Sequence, residues 1–553
     1  MTPAPTPSRT VPGVPPRALP LLAVFVVCAL VLRIPLLSDS IWFDEACMSS
    51  QRVGTWEQLL ATIYVDIHPP LYITFMHFWN AMFGDGEVSM RLPALIAGLA
   101  SIPLTFFAGR RLVSDTAALW GAALLALSPV HIWYSAEARL YTPMLCCALL
   151  ATYTFHRIVD GGPRPSRRLW LLHLANIAVM LALHYYLALY VVLLAMLAPL
   201  ATRGLGGRAG RLLGWHGFGL MLLAGFVYGK QMLGEFETSQ AYLRAMSPAA
   251  LYDLLFDWSF SGHTLRASGS KVDHAAAWVQ QGLMVMLTGF GLLQLWRCRR
   301  ERPGGLYLPL YLLVIPGFLA ASALFGLANT YIERSCLPAL PFLFLLVGAG
   351  LDGLPRRLYL PASGITLVLV ASTLISLYLH REVQWTVYKP KSDWRAAATW
   401  LGAEIDRGAA GRPVFTSMPN PRPLPYYDAR IQDVKTLQPG TGADEIGRKV
   451  ERRLGSWLGK LASDTFRRFD EHNARLLADA KLRVYRSAGD PAELDLEHRL
   501  RPGDDTCYLV RNEWHPHHTV DDSIERLLQH PRVTKLETHR FPGMTVYKVR
   551  VAK

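Results

Sequence analysis

The sequence predicts a polytopic α-helical membrane protein with a C-terminal α/β domain outside the bilayer. Three observations predict it. Apolar runs of spanning length follow one another from residue 18 to about residue 380. Clusters of Arg fall in every second connection between those runs. Beyond residue 381 the chain takes on the mixed composition and the helix and strand patterns of a soluble domain. At 553 residues the chain is too long for one ordinary domain. It divides into a tail over 1–17, a membrane domain over 18–380 and an external domain over 381–553.

A spanning helix needs about 20 mostly apolar residues. Runs of that kind occupy 18–37, 92–109, 116–133, 140–157, 169–185, 187–202, 212–232, 276–296, 306–327, 336–354 and 358–379, which makes about eleven spans. Arg110 and Arg111 follow the second span, Arg157, Arg164, Arg167 and Arg168 the fourth, and Arg203, Arg208 and Arg211 the sixth. Arg297, Arg299, Arg300 and Arg302 follow the eighth, and Arg356 and Arg357 the tenth. Positive loops stay in the cytoplasm, so the N-terminus lies inside and the C-terminal domain outside. Arg9 and Arg17 precede the first apolar run without a small-residue cleavage site after it, which predicts an uncleaved first helix. The formal charge of +14 is thereby a topology signal, and no nucleic-acid motif accompanies it. The seven cysteines show no paired spacing, although Cys47 and Cys507 would share the oxidising side and a bridge between them is left open.

The outward loops carry the unusual chemistry. Trp42-Phe43-Asp44-Glu45 follows the first span. Adjacent carboxylates at a membrane surface are either a solvated turn or a working group, a general base or cation ligand. His68-Pro69-Pro70-Leu71-Tyr72 reads as the start of a helix, since proline suits the first turn. The apolar segment Leu71 to Phe83 is about 13 residues, too short to cross, and predicts a helix lying in the interface. His68 stands at that boundary, within reach of a phosphate or sugar. Glu87 and Arg91 have the i, i+4 spacing of a helical ion pair. Between the third and fourth spans, His131 to Tyr141 brings His, Trp, Tyr, Glu137 and Arg139 into a very short connection. Those charges either face water or form a site. His184-Tyr185-Tyr186 ends the fifth span, where the tyrosines fit an aromatic belt. Arg334 precedes the tenth span and offers forked donors to a phosphate. His515, His517 and His518 match no complete zinc spacing.

In order, these motifs resemble the GT-C superfamily of membrane glycosyltransferases, and most of all its family 39-like group of protein O-mannosyltransferases, aminoarabinose transferases and their bacterial relatives. The shared order is an Asp-Glu pair, His-Pro-Pro-Leu-Tyr, Glu followed by Arg-Leu-Pro, and the series from Ser128 to Tyr141. It covers about residues 18–350 and is strongest over 38–141. Tyr388 and Asp393-Trp394-Arg395 look like the segment that opens the external domain in bacterial members. In the external domain, Ser392 is placed to cap a helix. Strand patterns follow at 414–417, 507–511, 535–541 and 544–549, with a helix at 522–528 and a helical stretch over 444–485. Two departures stand out. Ala136 occupies a position where many relatives carry glutamine, and His68 stands where the aminoarabinose transferases carry lysine.

The resemblance implies a sugar donor linked to polyprenyl phosphate and an acceptor hydroxyl on a lipid, glycan or protein. It implies inversion at the anomeric carbon, with Asp44 as general base and Glu45 positioning Asp44 or the acceptor. Arg139 and Arg334, with His68 and His131, would receive the leaving phosphate. Glu137 would orient Arg139 or bind sugar, and Glu87, Arg91 and Tyr141 complete the substrate-binding set. A divalent cation at Asp44/Glu45 stays open, and no other cofactor is expected. The implied place is a bacterial inner membrane, crossed many times. A transporter predicts two related halves, of which the sequence shows no repeat. A lipid-linked-oligosaccharide ligase fits the motifs less well.

Overall fold

A computed structural model of the chain describes residues 13–49, 68–160, 165–202, 204–232, 246–262, 271–325, 331–379, 392–409, 414–416, 423–431, 434–436, 506–512 and 521–551, with residues 56, 59 and 63. The predicted helical stretch over 444–485, the histidines at 515–518, and Tyr388 lie outside the described residues. All seven cysteines are free. Cys47 packs in the helical bundle and Cys507 inside the C-terminal domain, so they form no bridge.

The first half of the bundle runs α1 (Ala18–Arg33), the one-turn α2 (Phe43–Ala46), α3 (Leu71–Phe83), α4 (Glu87–Gly109), α5 (Asp115–Leu127), α6 (Pro129–Ser135) and α7 (Tyr141–Val159). Helices Arg167–Leu183, Tyr186–Thr202, Gly207–Met232, Lys271–Arg297, Leu308–Leu324, Leu340–Asp352 and Arg356–Leu379 complete it. Among the described residues seven helices are long and apolar enough to cross a membrane, and eight if the bent pair α5–α6 is one span. The remaining predicted spans are helical but shorter or more polar: α7 carries His156 and Arg157 in its last turn, and Arg167–Leu183 and Tyr186–Thr202 each have 17 residues. Large apolar side chains remain exposed along these helices, among them Val24, Val27 and Val31 on α1, Met196, Leu200, Met221, Val368 and Ile375. Bare apolar stripes of this extent belong against lipid.

The predicted single span over 116–133 is two helices meeting at 59°. Ser128 and Pro129 explain the break. The Ser128 hydroxyl accepts from the His131 amide at 3.3 Å, capping α6, and Pro129 cannot donate back into α5. The helix Leu340–Asp352 is buried from Leu340 through Leu351 and lies in the middle of the bundle. Its glycines permit that. A Cβ on Gly350 would strike the Leu287 carbonyl, and one on Gly291 the Leu346 carbonyl, so the two backbones touch where no side chain fits.

The C-terminal domain is a sheet of order β2-β1-β3-β5-β4, formed by β1 (Val414–Thr416), β2 (Val434–Thr436), β3 (Thr506–Asn512), β4 (Val533–Phe541) and β5 (Met544–Val551). β1 is parallel to β2 and β3, and β5 is antiparallel to β3 and β4. Gly543, with φ 64°, turns β4 into β5. Alternate residues of β3 serve two layers. Tyr508 and Val510 pack with Trp394, Ala397 and Leu401 of helix Trp394–Glu404, while Cys507 and Leu509 pack with Ile524 and Leu527 of helix Asp521–Gln529. That first helix is capped by Asp393, whose carboxylate accepts from the Ala396 amide at 3.0 Å, one residue beyond the expected Ser392. Tyr426 and Tyr427 of the short helix Pro423–Tyr427 pack against the bundle's core and join the two parts.

Candidate active site

The end of α1, the start of α4, the end of α6, the start of α7 and the segment before Leu340 converge at the end of the bundle where the C-terminal domain sits. The motif residues gather there because each occupies a helix terminus, where backbone leaves the lipid and polar groups can be paired.

Glu45 is fully buried and held on both oxygens. Arg91 Nε donates to Oε1 and Nη2 to Oε2, each at 2.8 Å. The Ala138 amide adds a third hydrogen bond to Oε1 at 2.9 Å, and the Trp42 amide a longer one to Oε2 at 3.4 Å. Arg91 also donates to the carbonyls of Leu36, Leu37, Asp39 and Ser40, at 2.6 to 3.3 Å. Glu45 and Arg91 therefore tie α2 to α4 and to the Glu137–Arg139 turn. The i, i+4 spacing of Glu87 and Arg91 pointed to a pair between them, but the buried carboxylate of Glu45 takes the guanidinium, and Glu87 turns to Arg395 and Tyr427.

Asp44 is the partly exposed carboxylate, its side chain 14% accessible. Arg334 donates to its Oδ2 at 2.8 Å, and Arg139 Nε stands 4.0 Å from the same oxygen. The Arg334 guanidinium lies 5.5 Å over the Tyr141 ring and 5.9 Å over Trp42, and Arg139 lies 5.9 Å over Tyr141. Two guanidiniums thus meet one carboxylate on an aromatic floor, which holds them by their faces. Glu137, almost fully buried, accepts from the Trp133 indole at 3.1 Å.

Residues 67–227 match the family model described as dolichyl-phosphate-mannose-protein mannosyltransferase. The fold is similar to the crystal structure of ArnT from Cupriavidus metallidurans in the apo state, at 13% identity and a TM-score of 0.52, covering 96% of this chain and 98% of that one. It is equally similar to that protein bound to undecaprenyl phosphate, at 14% identity and a TM-score of 0.52, covering 95% and 97%. The chain shares the fold of that protein. The Archaeoglobus fulgidus oligosaccharyltransferase in complex with Zn and sulfate is also similar, at 13% identity and a TM-score of 0.45, over 78% of this chain and 66% of that one. No curated protein matches the chain.

Within this fold the other expected residues divide. His68 reaches the site's edge, its ring 5.5 Å from that of His184. His184 accepts from the Tyr186 amide at 3.1 Å through Nδ1 and lies in the electrostatic reach of Arg139 and Arg334. It ends its helix, where the sequence showed only an aromatic belt. His131 stands apart from Asp44. Its Nδ1 accepts from Arg33 at 2.7 Å, and its Nε2 lies 3.0 Å from the Ser101 hydroxyl. Arg33 also donates to the Ala29 and Ala126 carbonyls, so His131 belongs to a latch that holds α1 against the α5–α6 break.

Tyr72, the last residue of the His-Pro-Pro-Leu-Tyr motif, lies beside charged groups of the candidate site although it is not among the expected site residues. Its side chain is buried, and its hydroxyl has no hydrogen-bond partner among the described residues. Arg139, Glu137, Glu45 and Tyr141 all act on it electrostatically. Its place in the first turn of α3, two residues after Pro70, was the available signal.

Asp44 and Glu45 do not make a two-carboxylate cation site as arranged. Arg91 and the Ala138 amide occupy Glu45, and Asp44 faces two guanidiniums. Among the described residues no three His, Cys, Asp or Glu side chains cluster as metal ligands.

Proposed function

We propose that this chain is a membrane glycosyltransferase that moves a sugar from a polyprenyl-phosphate donor to an acceptor hydroxyl at the extracytoplasmic face, with inversion and with Asp44 as the general base. The family match and the GT-C fold support the coarse reading of a membrane glycosyltransferase. The observation that carries the finer one is the Asp44 carboxylate 2.8 Å from Arg334 and 4.0 Å from Arg139 at the mouth of the bundle. A base and two phosphate-binding cations are the groups this transfer needs.

The acceptor oxygen attacks the anomeric carbon while its proton passes to Asp44. The bond from that carbon to the phosphate oxygen breaks, and the polyprenyl phosphate leaves with the electron pair. Arg139 and Arg334 take up the charge that collects on it. In doing so they turn from Asp44 to the phosphate and release the carboxylate to act as a base. Glu45 stays locked to Arg91 and keeps α2 in place. His68 and His184 line the rim on the cationic side, the Tyr141 ring carries the guanidiniums, and Glu137 orients Arg139 or binds the sugar. ArnT binds undecaprenyl phosphate, which supports a lipid phosphate of that class here. Positive clusters in alternate loops support a bacterial inner membrane with the N-terminus cytoplasmic and the C-terminal domain outside.

Undecaprenyl phosphate binding to the purified chain in lipid nanodiscs tests the reading. The wild-type protein and Asp44→Asn should both bind, and Arg139→Gln/Arg334→Gln should bind at least about tenfold more weakly. Equal affinity in the double variant would remove the two arginines from the donor site.

A further inference from the structure

The strand of backbone that leads into Asp44 is held from two sides. From the bundle, Arg91 collects the carbonyls between Leu36 and Ser40. From the C-terminal domain, Arg395 donates through Nη2 to the Ser38 carbonyl at 2.7 Å and through its own amide to the Ser40 hydroxyl at 3.3 Å. The Ile41 amide, on the last residues before α2, donates to the Tyr427 hydroxyl at 2.7 Å. Tyr427 passes its own proton bond to Glu87 Oε1, and Arg395 Nε reaches the same oxygen at 3.1 Å. The Arg395 guanidinium lies 5.8 Å over the Tyr427 ring. Tyr426 beside it donates to the Asp85 carbonyl at 2.7 Å.

These are not the contacts of a tethered neighbour. A loose external domain would meet the bundle through solvated charges worth little. Here one hydroxyl serves as acceptor for a loop amide and as donor to a carboxylate, and both its partners sit within one turn of site residues. Burial pushes the Tyr427 phenol up, so the hydroxyl keeps the proton it donates. The loop amide would otherwise have no mate in a place where Ile41 is fully buried.

We propose that Tyr427 and Arg395 are positioning residues of the transfer site, acting through Ile41 and Ser38–Ser40 to hold the turn that presents Asp44. The C-terminal domain is then a working part of the site, and Glu87 is the post to which it is fastened. This rests on the function proposed above. Donor binding falls to Arg139 and Arg334, so loosening the latch disturbs the base and leaves the phosphate cradle alone.

The test uses full-length protein in nanodiscs and compares wild type, Tyr427→Phe, Glu87→Gln and the double variant. Hydrogen exchange of the peptide containing Ile41 reads the latch directly, undecaprenyl phosphate affinity reads the donor cradle, and sugar-loaded polyprenyl phosphate in cells reads transfer. In Tyr427→Phe, exchange at Ile41 should rise roughly 3- to 10-fold, affinity should stay within about twofold, and the loaded donor should accumulate. Glu87→Gln should add less than its separate effect, because both changes break one network. Unchanged exchange at Ile41 overturns the latch. Faster exchange with undiminished transfer overturns its role in catalysis, and so does a loss of lipid affinity. Should Asp44→Asn itself leave transfer intact, the transferase reading fails, while the exchange measurement still judges the latch.

Discussion

Arg91 grips both oxygens of Glu45 at 2.8 Å, with neither side chain accessible to solvent. Asp44, next in the chain, is left to face Arg334 and Arg139 instead. On the proposed function Glu45 holds the turn and Asp44 acts as the base, and mutation separates the two roles. Glu45→Ala or Arg91→Ala leaves a buried charge alone and should cost about 3–5 kcal/mol of stability. Asp44→Asn should change stability by less than about 1 kcal/mol and abolish transfer. Thermal unfolding of the three purified variants, beside their transfer activity, checks this.

Tyr72 offers a sharper contrast. Its hydroxyl is buried and without a partner among the described residues, beside Arg139, Glu137 and Glu45. Tyr72→Phe should leave folding unchanged or raise stability by up to about 1 kcal/mol. If the hydroxyl meets the substrate, transfer efficiency should fall about tenfold. Melting temperature and steady-state kinetics of the one variant decide it.

Arg33 and His131 should behave as a pair. His131→Leu takes away one acceptor of the Arg33 guanidinium, now held by His131 at 2.7 Å, and should cost about 1–3 kcal/mol. Adding Arg33→Met should recover part of that loss, since two apolar groups replace two polar ones. A double-mutant cycle of unfolding free energies measures the coupling, and additive losses would contradict it.

The C-terminal domain carries an acid-sensitive contact. Burial alone would raise the Glu404 carboxyl, but hydrogen bonds from Lys548, Arg407 and Tyr508 outweigh it and hold the group down to about 2. A folded value below the unfolded one stabilises above pH ~4.5, and that stabilisation is lost as pH falls through about 2. The contribution is at most about 3 kcal/mol. Urea unfolding of the domain between pH 5 and pH 2.5, followed by protection of β3 and β5, should weaken with acid in wild type and less so in Glu404→Gln.

What the sequence made legible follows its periodicities. The apolar runs place helices within a few residues of those observed, and α3 spans Leu71–Phe83 as its composition predicts. The strand patterns at 414, 507, 535 and 544 all lie in the sheet. Partners were less legible, because they depend on which helix ends meet. Arg91 prefers Glu45, 46 residues away, to its own-helix neighbour Glu87, since only Glu45 is wholly buried with it. His131 sits inside a motif of expected site residues yet faces Arg33, because the bend at Ser128 turns α6. The hold of Tyr427 on Ile41 joins positions 386 apart and leaves no local trace.

The central claim is that Asp44 is the base of a sugar transfer from a polyprenyl-phosphate donor. The most direct measurement is mass spectrometry of lipids and surface glycans from cells with wild-type protein, no protein, or Asp44→Asn protein at equal membrane level. The account predicts one glycan lacking a single sugar in both defective strains, with its polyprenyl-phosphate donor accumulating. Identical profiles in all three, with the protein expressed, would contradict it.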